Sequence, residues 1–268
     1  MSALSDTLAR VRGENRPALI GYLPAGFPTV DVSVKAIAAM VEGGVDIVEV
    51  GLPYTDPVMD GPTIQEAAQR ALAGGVRLTD VFDVVRETVT TGAPTVVMTY
   101  WNPVEHYGVD RFAAALAHAG GSGLITPDLI PDEAAEWTAA AKAHGLDQIF
   151  LVAPSSTKER LAMTAAASSG FVYATSVMGV TGSREATSNR APELVARLRD
   201  VTDMPIGVGL GVSNGDQAAE VGGFADGVIV GSALVRCLLD AGDDHDAGIE
   251  AIGVLAKDLR DGVGRART

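Results

Sequence analysis

Two carboxylates that lie close together in the chain are the residues best suited to chemistry. Glu49 sits in a short β-branched run, residues 46–51, with a valine on each side, and Asp60 follows on the next segment. Such a run is typical of a buried strand. Burying a lone carboxylate is costly unless the group is paired or neutral. A buried Glu49 therefore needs a chemical reason, and a second carboxylate nearby predicts a pair that moves protons.

Each acidic residue also has a purely structural interpretation. Glu49 can bond only to nearby backbone, Asp60 before Gly61 fits ordinary turn chemistry, and Asp56 before Pro57 fits a residue that shapes a loop. The three acids together, on one strand and the loop after it, indicate function more strongly than any of them alone.

Three glycine-bearing turns form a second candidate site. They lie at 179–182, 209–213 and 231–232, and they follow the sixth, seventh and eighth predicted strands. Glycines allow backbone N–H groups to approach an anion, and a helix N-terminus adds a favourable dipole. Each turn alone is weak evidence, but three at successive strand ends predict a phosphate site.

Large side chains near strand ends form a candidate pocket wall, although ordinary core packing explains any one of them. They are Tyr22, Tyr100, Trp101, Leu124, Leu151, Tyr173 and Leu210. The four histidines show no metal-ligand spacing, and no Ser-His-Asp signature occurs, so we predict no metal site.

Eight apolar strands that alternate with helices must position these residues. We predict strands at 18–23, 46–51, 95–101, 123–126, 148–152, 171–174, 205–209 and 226–230, after a short N-terminal helix at 4–11. This pattern predicts an α/β fold, a single-domain (βα)8 TIM barrel over residues 1–268, with its site where the strands end. An open doubly wound sheet is the alternative, but no G-x-G-x-x-G motif follows the first strand.

Composition limits the partners. The chain has 268 residues, a net charge of −14 and one cysteine. An acidic surface repels nucleic acid and anionic lipid, so we expect neither as a partner. The single cysteine suits a cytoplasmic location. We expect no signal peptide, because the N-terminal residues have no apolar core flanked by basic residues, and no membrane span, because no apolar run is long enough.

The motifs that contain these residues resemble those of the tryptophan synthase α subunit, and the likeness runs nearly end to end. The most specific segment is EVGLPYTDPVMDGPTIQ at 49–65. Supporting segments are MTYWNP at 98–103, PDLIPDE at 127–133, GVTG at 179–182, VGLGVS at 208–213 and VGSALV at 230–235.

The resemblance implies a lyase that cleaves indole-3-glycerol phosphate into indole and glyceraldehyde 3-phosphate. It implies no cofactor in this chain and an α2β2 heterotetramer, in which indole passes through a tunnel to a pyridoxal-phosphate (PLP) β subunit. It also assigns roles. The catalytic acids are Glu49 and Asp60; the phosphate contacts are Gly182, Gly211, Gly231 and Ser232; the indole pocket includes Tyr22, Tyr100, Leu151, Tyr173, Thr181 and Leu210; the β-subunit contacts are Pro53 and Asp56.

The chain departs from the usual family pattern at Tyr22, Phe27, Met59 and Leu210. Three alternatives stay open at this level. The first is the same enzyme working without a β subunit, the second is a ligand-binding activator without chemistry, and the third is another phosphate-handling barrel, such as an isomerase. The intact Glu49 and Asp60 argue against the second, and no different base pair supports the third.

Overall fold

Eight parallel strands close into a barrel in the computed structural model, which describes residues 2–175 and 190–267. They are β1 (Ala18–Pro24), β2 (Ile47–Gly51), β3 (Thr95–Met98), β4 (Gly123–Thr126), β5 (Asp147–Val152), β6 (Val172–Thr175), β7 (Ile206–Gly209) and β8 (Gly227–Val230). Each strand pairs with the next, and β8 pairs with β1. The predicted barrel is confirmed, and the open sheet is excluded.

Helices connect the strands and cover the outside of the barrel. Among the described residues they are α1 (Ala3–Gly13), α2 (Val30–Glu42), α3 (Pro62–Ala73), α4 (Leu78–Val89), α5 (Trp101–Tyr107), α6 (Val109–His118), α7 (Ala135–His144), α8 (Lys158–Ala167), α9 (Arg190–Arg199), α10 (Gly215–Gly222), α11 (Ser232–Ala241) and α12 (His245–Gly264). None of these helices has the length and apolar character needed to cross a membrane.

The third strand is shorter than its sequence predicts. Residues 95–101 read as one strand, but β3 ends at Met98 and α5 begins at Trp101. The aromatic pair at 100–101 extends the strand-like pattern, whereas Pro103 fits the first turn of a helix, where its missing N–H is not needed. The sequence pattern therefore does not predict α5, and the structure shows it.

Alternation along the strands produces two apolar layers. Ile20, Ile47 and Val96 belong to the cluster inside the barrel. Val48 and Val50 belong to the layer between the barrel and its helices. Because successive side chains point to opposite faces, Glu49 and Gly51 share the inner face with Ile47, as the sequence predicts.

The N-terminal helix α1 closes the end of the barrel where the strands begin. Leu4, Leu8 and Val11 join the inner apolar cluster. Beside them, the buried Arg16 guanidinium donates to both Asp46 oxygens, at 2.6 and 2.8 Å. These contacts leave the opposite end, which we call the mouth, for a ligand.

Candidate functional site

Glu49 lies on the inner face of β2 near the mouth and is only 1% exposed. It pairs in register with Tyr22 on β1 and Val96 on β3. Its Oε1 has no hydrogen-bond partner among the described residues. Burial raises the pKa of Glu49 to about 8. The side chain is therefore mostly a neutral acid at pH 7, with a proton to donate.

Asp60 lies on the loop after β2, and three hydrogen bonds hold its position. The Tyr100 hydroxyl donates to Asp60 Oδ1 at 2.9 Å and accepts the Met59 N–H at 3.0 Å. Gln65 Nε2 donates to the Asp60 carbonyl at 2.8 Å. Burial raises the pKa of the Asp60 carboxyl, and the Tyr100 hydrogen bond opposes that rise. The bond favours the ionised form, so it orients Asp60 and offsets part of the effect of burial on its pKa.

Tyr100 is itself held from a third loop. It is the N-cap residue of α5, and the N–H of the next residue, Trp101, points to both Asp128 oxygens at 2.9 and 3.1 Å. A carboxylate is favourable at a helix N-terminus because the helix dipole is positive there. Sequence reasoning missed Asp128 and Gln65, and the signal available for Asp128 was an acid two residues after a strand end.

Two tyrosines form the wall of the mouth around Glu49. The Tyr22 ring lies over Gly51, where a Cβ would overlap its hydroxyl, and a Cβ at Gly209 would lie 2.7 Å from the Tyr173 hydroxyl. Burial raises the pKa of both phenols well above the usual range. The charges of Asp60, Glu49 and Tyr100 raise the pKa of Tyr22 further. The charges of Glu49 and Tyr22 raise the pKa of Tyr173 further. Glycines 51 and 209 thus make room for aromatic groups beside Glu49.

The other predicted wall residues lie in different layers. Leu151 is partly buried, packs on the inner cluster and pairs in register with Tyr173. Leu210 is partly buried against the outer layer, and Leu124 is fully buried in that layer. Leu124 is thus a core residue, which is the ordinary alternative that the sequence left open.

Of the predicted phosphate residues, Gly231 lies beside Tyr22, since a Cβ there would be 3.4 Å from Tyr22 Cδ1. Gly231 is the N-cap of α11 and makes no side-chain cap, and Ser232 is the first helical residue. The first intrahelical bond is Val235 N–H to the Gly231 carbonyl, which leaves earlier N–H groups for an anion. Gly211 has φ of +69° and open space around its Cβ position. Gly182 and Thr181 lie outside the described residues.

The predicted partner contacts lie on the loop after β2, the loop that also carries Asp60. Pro53 is buried at its start, and Asp56 is exposed and accepts the Thr55 hydroxyl at 2.5 Å. Beyond them the loop exposes apolar side chains, with Val58 at 72% and Met59 at 43%. Across residues 2–175 and 190–267, no three acidic, His or Cys side chains gather where a metal ion could bind.

Comparison with known proteins gives one consistent family. The family model of the tryptophan synthase alpha chain matches residues 8–264. The tryptophan synthase alpha chain of Acidothermus cellulolyticus is 60% identical over 265 residues, covering 99% of this chain and 98% of its own. That of Mycobacterium marinum is 60% identical over 262 residues, covering 98% and 95%.

Solved structures agree. A chain in a structure of Mycobacterium tuberculosis tryptophan synthase is 56% identical and superposes with a TM-score of 0.91, covering 100% of this chain and 99% of its own. The barrel, the buried acid on β2 and the glycines at 211 and 231 thus occur in a chain that belongs to the tryptophan synthase alpha chain family.

Proposed function

We propose that this chain is the alpha subunit of tryptophan synthase, and that Glu49 and Asp60 cleave indole-3-glycerol phosphate into indole and glyceraldehyde 3-phosphate. Family membership along nearly the whole chain supports the reaction. The observation that carries the assignment of roles is the contrast between the two acids. Glu49 is buried without a partner for Oε1, whereas Asp60 receives a phenol hydrogen bond. Glu49 is suited to remain protonated, whereas Asp60 has a hydrogen bond that favours its ionised form against the effect of burial.

The reaction needs a proton at indole C3 and the loss of a proton from the adjacent hydroxyl. Glu49 gives its proton to C3, which leaves positive charge on the ring nitrogen. The Glu49 carboxylate then takes the hydroxyl proton, a carbonyl forms, and the carbon–carbon bond breaks with its electron pair returning to the ring. The Asp60 carboxylate accepts the indole N–H and stabilises the positive charge. Glu49 ends protonated, ready for another turnover.

The substrate phosphate binds where β7 and β8 end, beside Tyr22. The N-terminus of α11 at Gly231 and Ser232, together with Gly211 and the turn that contains Gly182, supplies backbone N–H groups. The indole ring lies among Tyr22, Tyr100, Leu151, Tyr173, Thr181 and Leu210. Anchoring both ends of the substrate fixes the bond to be broken beside Glu49.

The partner is a β subunit that carries PLP and joins the released indole to serine, within a cytoplasmic α2β2 assembly. This chain needs no cofactor of its own. The loop that contains Pro53 and Asp56 meets the partner, and the exposed Val58 and Met59 on the same loop suit burial in such a contact. We propose that residues 1–268 act as one lyase domain.

Indole release from indole-3-glycerol phosphate tests the proposal, measured with and without β subunit. Glu49→Gln keeps the size of the side chain but removes its proton, so cleavage should fall by roughly 10²–10⁴-fold. Asp60→Asn is the matched change at the second acid and should also lower kcat strongly. Both variants should retain the wild-type circular dichroism spectrum. Wild-type rates in a folded Glu49→Gln protein would reject the role.

A further inference from the structure

The Tyr22 hydroxyl is a polar group in the mouth for which the reaction as derived above has no use. The Tyr22 side chain is the partly exposed one in an otherwise buried β1. Its ring base lies beside Gly231, since a Cβ there would be 3.4 Å from Tyr22 Cδ1, and its hydroxyl lies over Gly51. The ring thus lies along one side of the mouth, from the start of α11 to the strand that carries Glu49.

The hydroxyl makes no hydrogen bond to any residue within 2–175 or 190–267. Its neighbours already have other partners: Asp60 Oδ1 accepts from Tyr100, and the Tyr100 oxygen also accepts the Met59 N–H. Polar groups at buried sites are usually satisfied, and one that faces a binding cavity without a protein partner is available to a ligand.

The position of Tyr22 selects the part of the ligand that it meets. If the phosphate lies at Gly231 and the indole N–H at Asp60, the glycerol carbons must run between them, across the Tyr22 ring. The glycerol segment carries two hydroxyls, and each can donate and accept hydrogen bonds. The phenol hydroxyl lies over Gly51, which is two residues beyond Glu49 on the same inner face of β2, so it is close to the acid that acts on the breaking bond.

We propose that Tyr22 is a specificity residue whose hydroxyl hydrogen-bonds a glycerol hydroxyl of the substrate. This inference rests on the proposed function of the same site. It predicts that the chain distinguishes phosphate esters that carry hydroxyls on the linking carbons from esters that lack them. A phenylalanine at this position would supply the same apolar wall without that discrimination.

The test compares Tyr22→Phe with wild type on two ligands. The first is indole-3-glycerol phosphate, followed by kcat/KM for indole release. The second is 3-(indol-3-yl)propyl phosphate, which lacks both glycerol hydroxyls, followed as a competitive inhibitor. We expect kcat/KM to fall roughly 3- to 10-fold, the effect of one neutral hydrogen bond, and the inhibition constant to change less than about twofold.

Other outcomes overturn the inference. Equal losses on both ligands would mean that the variant only disturbs packing, and no loss on either would mean that the hydroxyl is idle. A shift of the acidic limb of the pH–rate profile would mean that Tyr22 acts through Asp60 instead. Tyr107→Phe is the control, because that ring packs on Phe82 and Phe112 outside the barrel. Wild-type protein that releases no indole would refute the proposed function itself.

Discussion

Replacing Glu49 by glutamine should make the free energy of unfolding depend less on pH. An ordinary glutamate loses its proton near pH 4.5, but burial raises the pKa of Glu49 to about 8. Between these values unfolding releases a proton, so the free energy of unfolding of wild type falls as pH rises, by about 1.4 kcal/mol per pH unit. Glutamine has no proton to release. From pH 5 to pH 8, wild type should therefore lose about 3–4 kcal/mol relative to Glu49→Gln.

Urea unfolding of both proteins at half-unit pH steps measures this difference. Taking the difference between variant and wild type removes the contribution of every other titrating group, provided that the variant is otherwise unchanged. Glu49→Met, which also removes the carboxyl at similar volume, should show the same slope. The alkaline limb of kcat/KM in wild type should fall near pH 8, because the reaction needs the protonated acid. A stability difference that stays flat from pH 5 to pH 8 would refute the burial argument.

Two further predictions concern other contacts. Tyr100→Phe removes a hydrogen bond to the Asp60 carboxylate, so kcat/KM should fall about 10- to 100-fold. Because that bond lowers the pKa of Asp60, the acidic limb of the pH–rate profile should move to higher pH in the variant. A limb that does not move would contradict this role of Tyr100. Asp46→Asn breaks a buried ion pair with Arg16 and should cost about 3–5 kcal/mol in urea unfolding, with kcat of the folded protein unchanged. The control Asp31→Asn, which breaks an exposed ion pair with Lys35, should leave the free energy of unfolding unaltered.

The order of the strands and the position of Glu49 were predictable because both rest on local patterns. Apolar runs bounded by turns mark the strands, and alternation puts Glu49 on the same face as Ile47. Where a strand is apolar on both faces, the pattern does not show which face points into the barrel. Leu124 and Leu151 therefore looked alike, yet the first packs outside the barrel and the second inside.

The contacts that hold Asp60 were not predictable, because they join separate loops. Its phenol partner is Tyr100, 40 residues away, and the helix that starts there meets Asp128 after the next strand. Such contacts require the barrel to be closed, since closure brings the ends of neighbouring strands together. A single sequence without that geometry shows only that an acid follows a strand.

Strand β2 and the residue before it show how one segment serves both stability and chemistry. Asp46, at the end of the barrel where strands begin, is buried with Arg16, and the guanidinium and the Leu19 N–H lower the pKa of this carboxyl against the effect of burial. Glu49, three residues later and nearer the mouth, is buried without a partner for Oε1, and its pKa rises. Pairing Glu49 with a cation would stabilise the barrel above pH 5, but it would ionise the acid and remove the proton that C3 must receive. The stability lost at Glu49 is therefore inseparable from its use as an acid. Asp46 has no proton to donate in the reaction, and both of its oxygens are paired with Arg16.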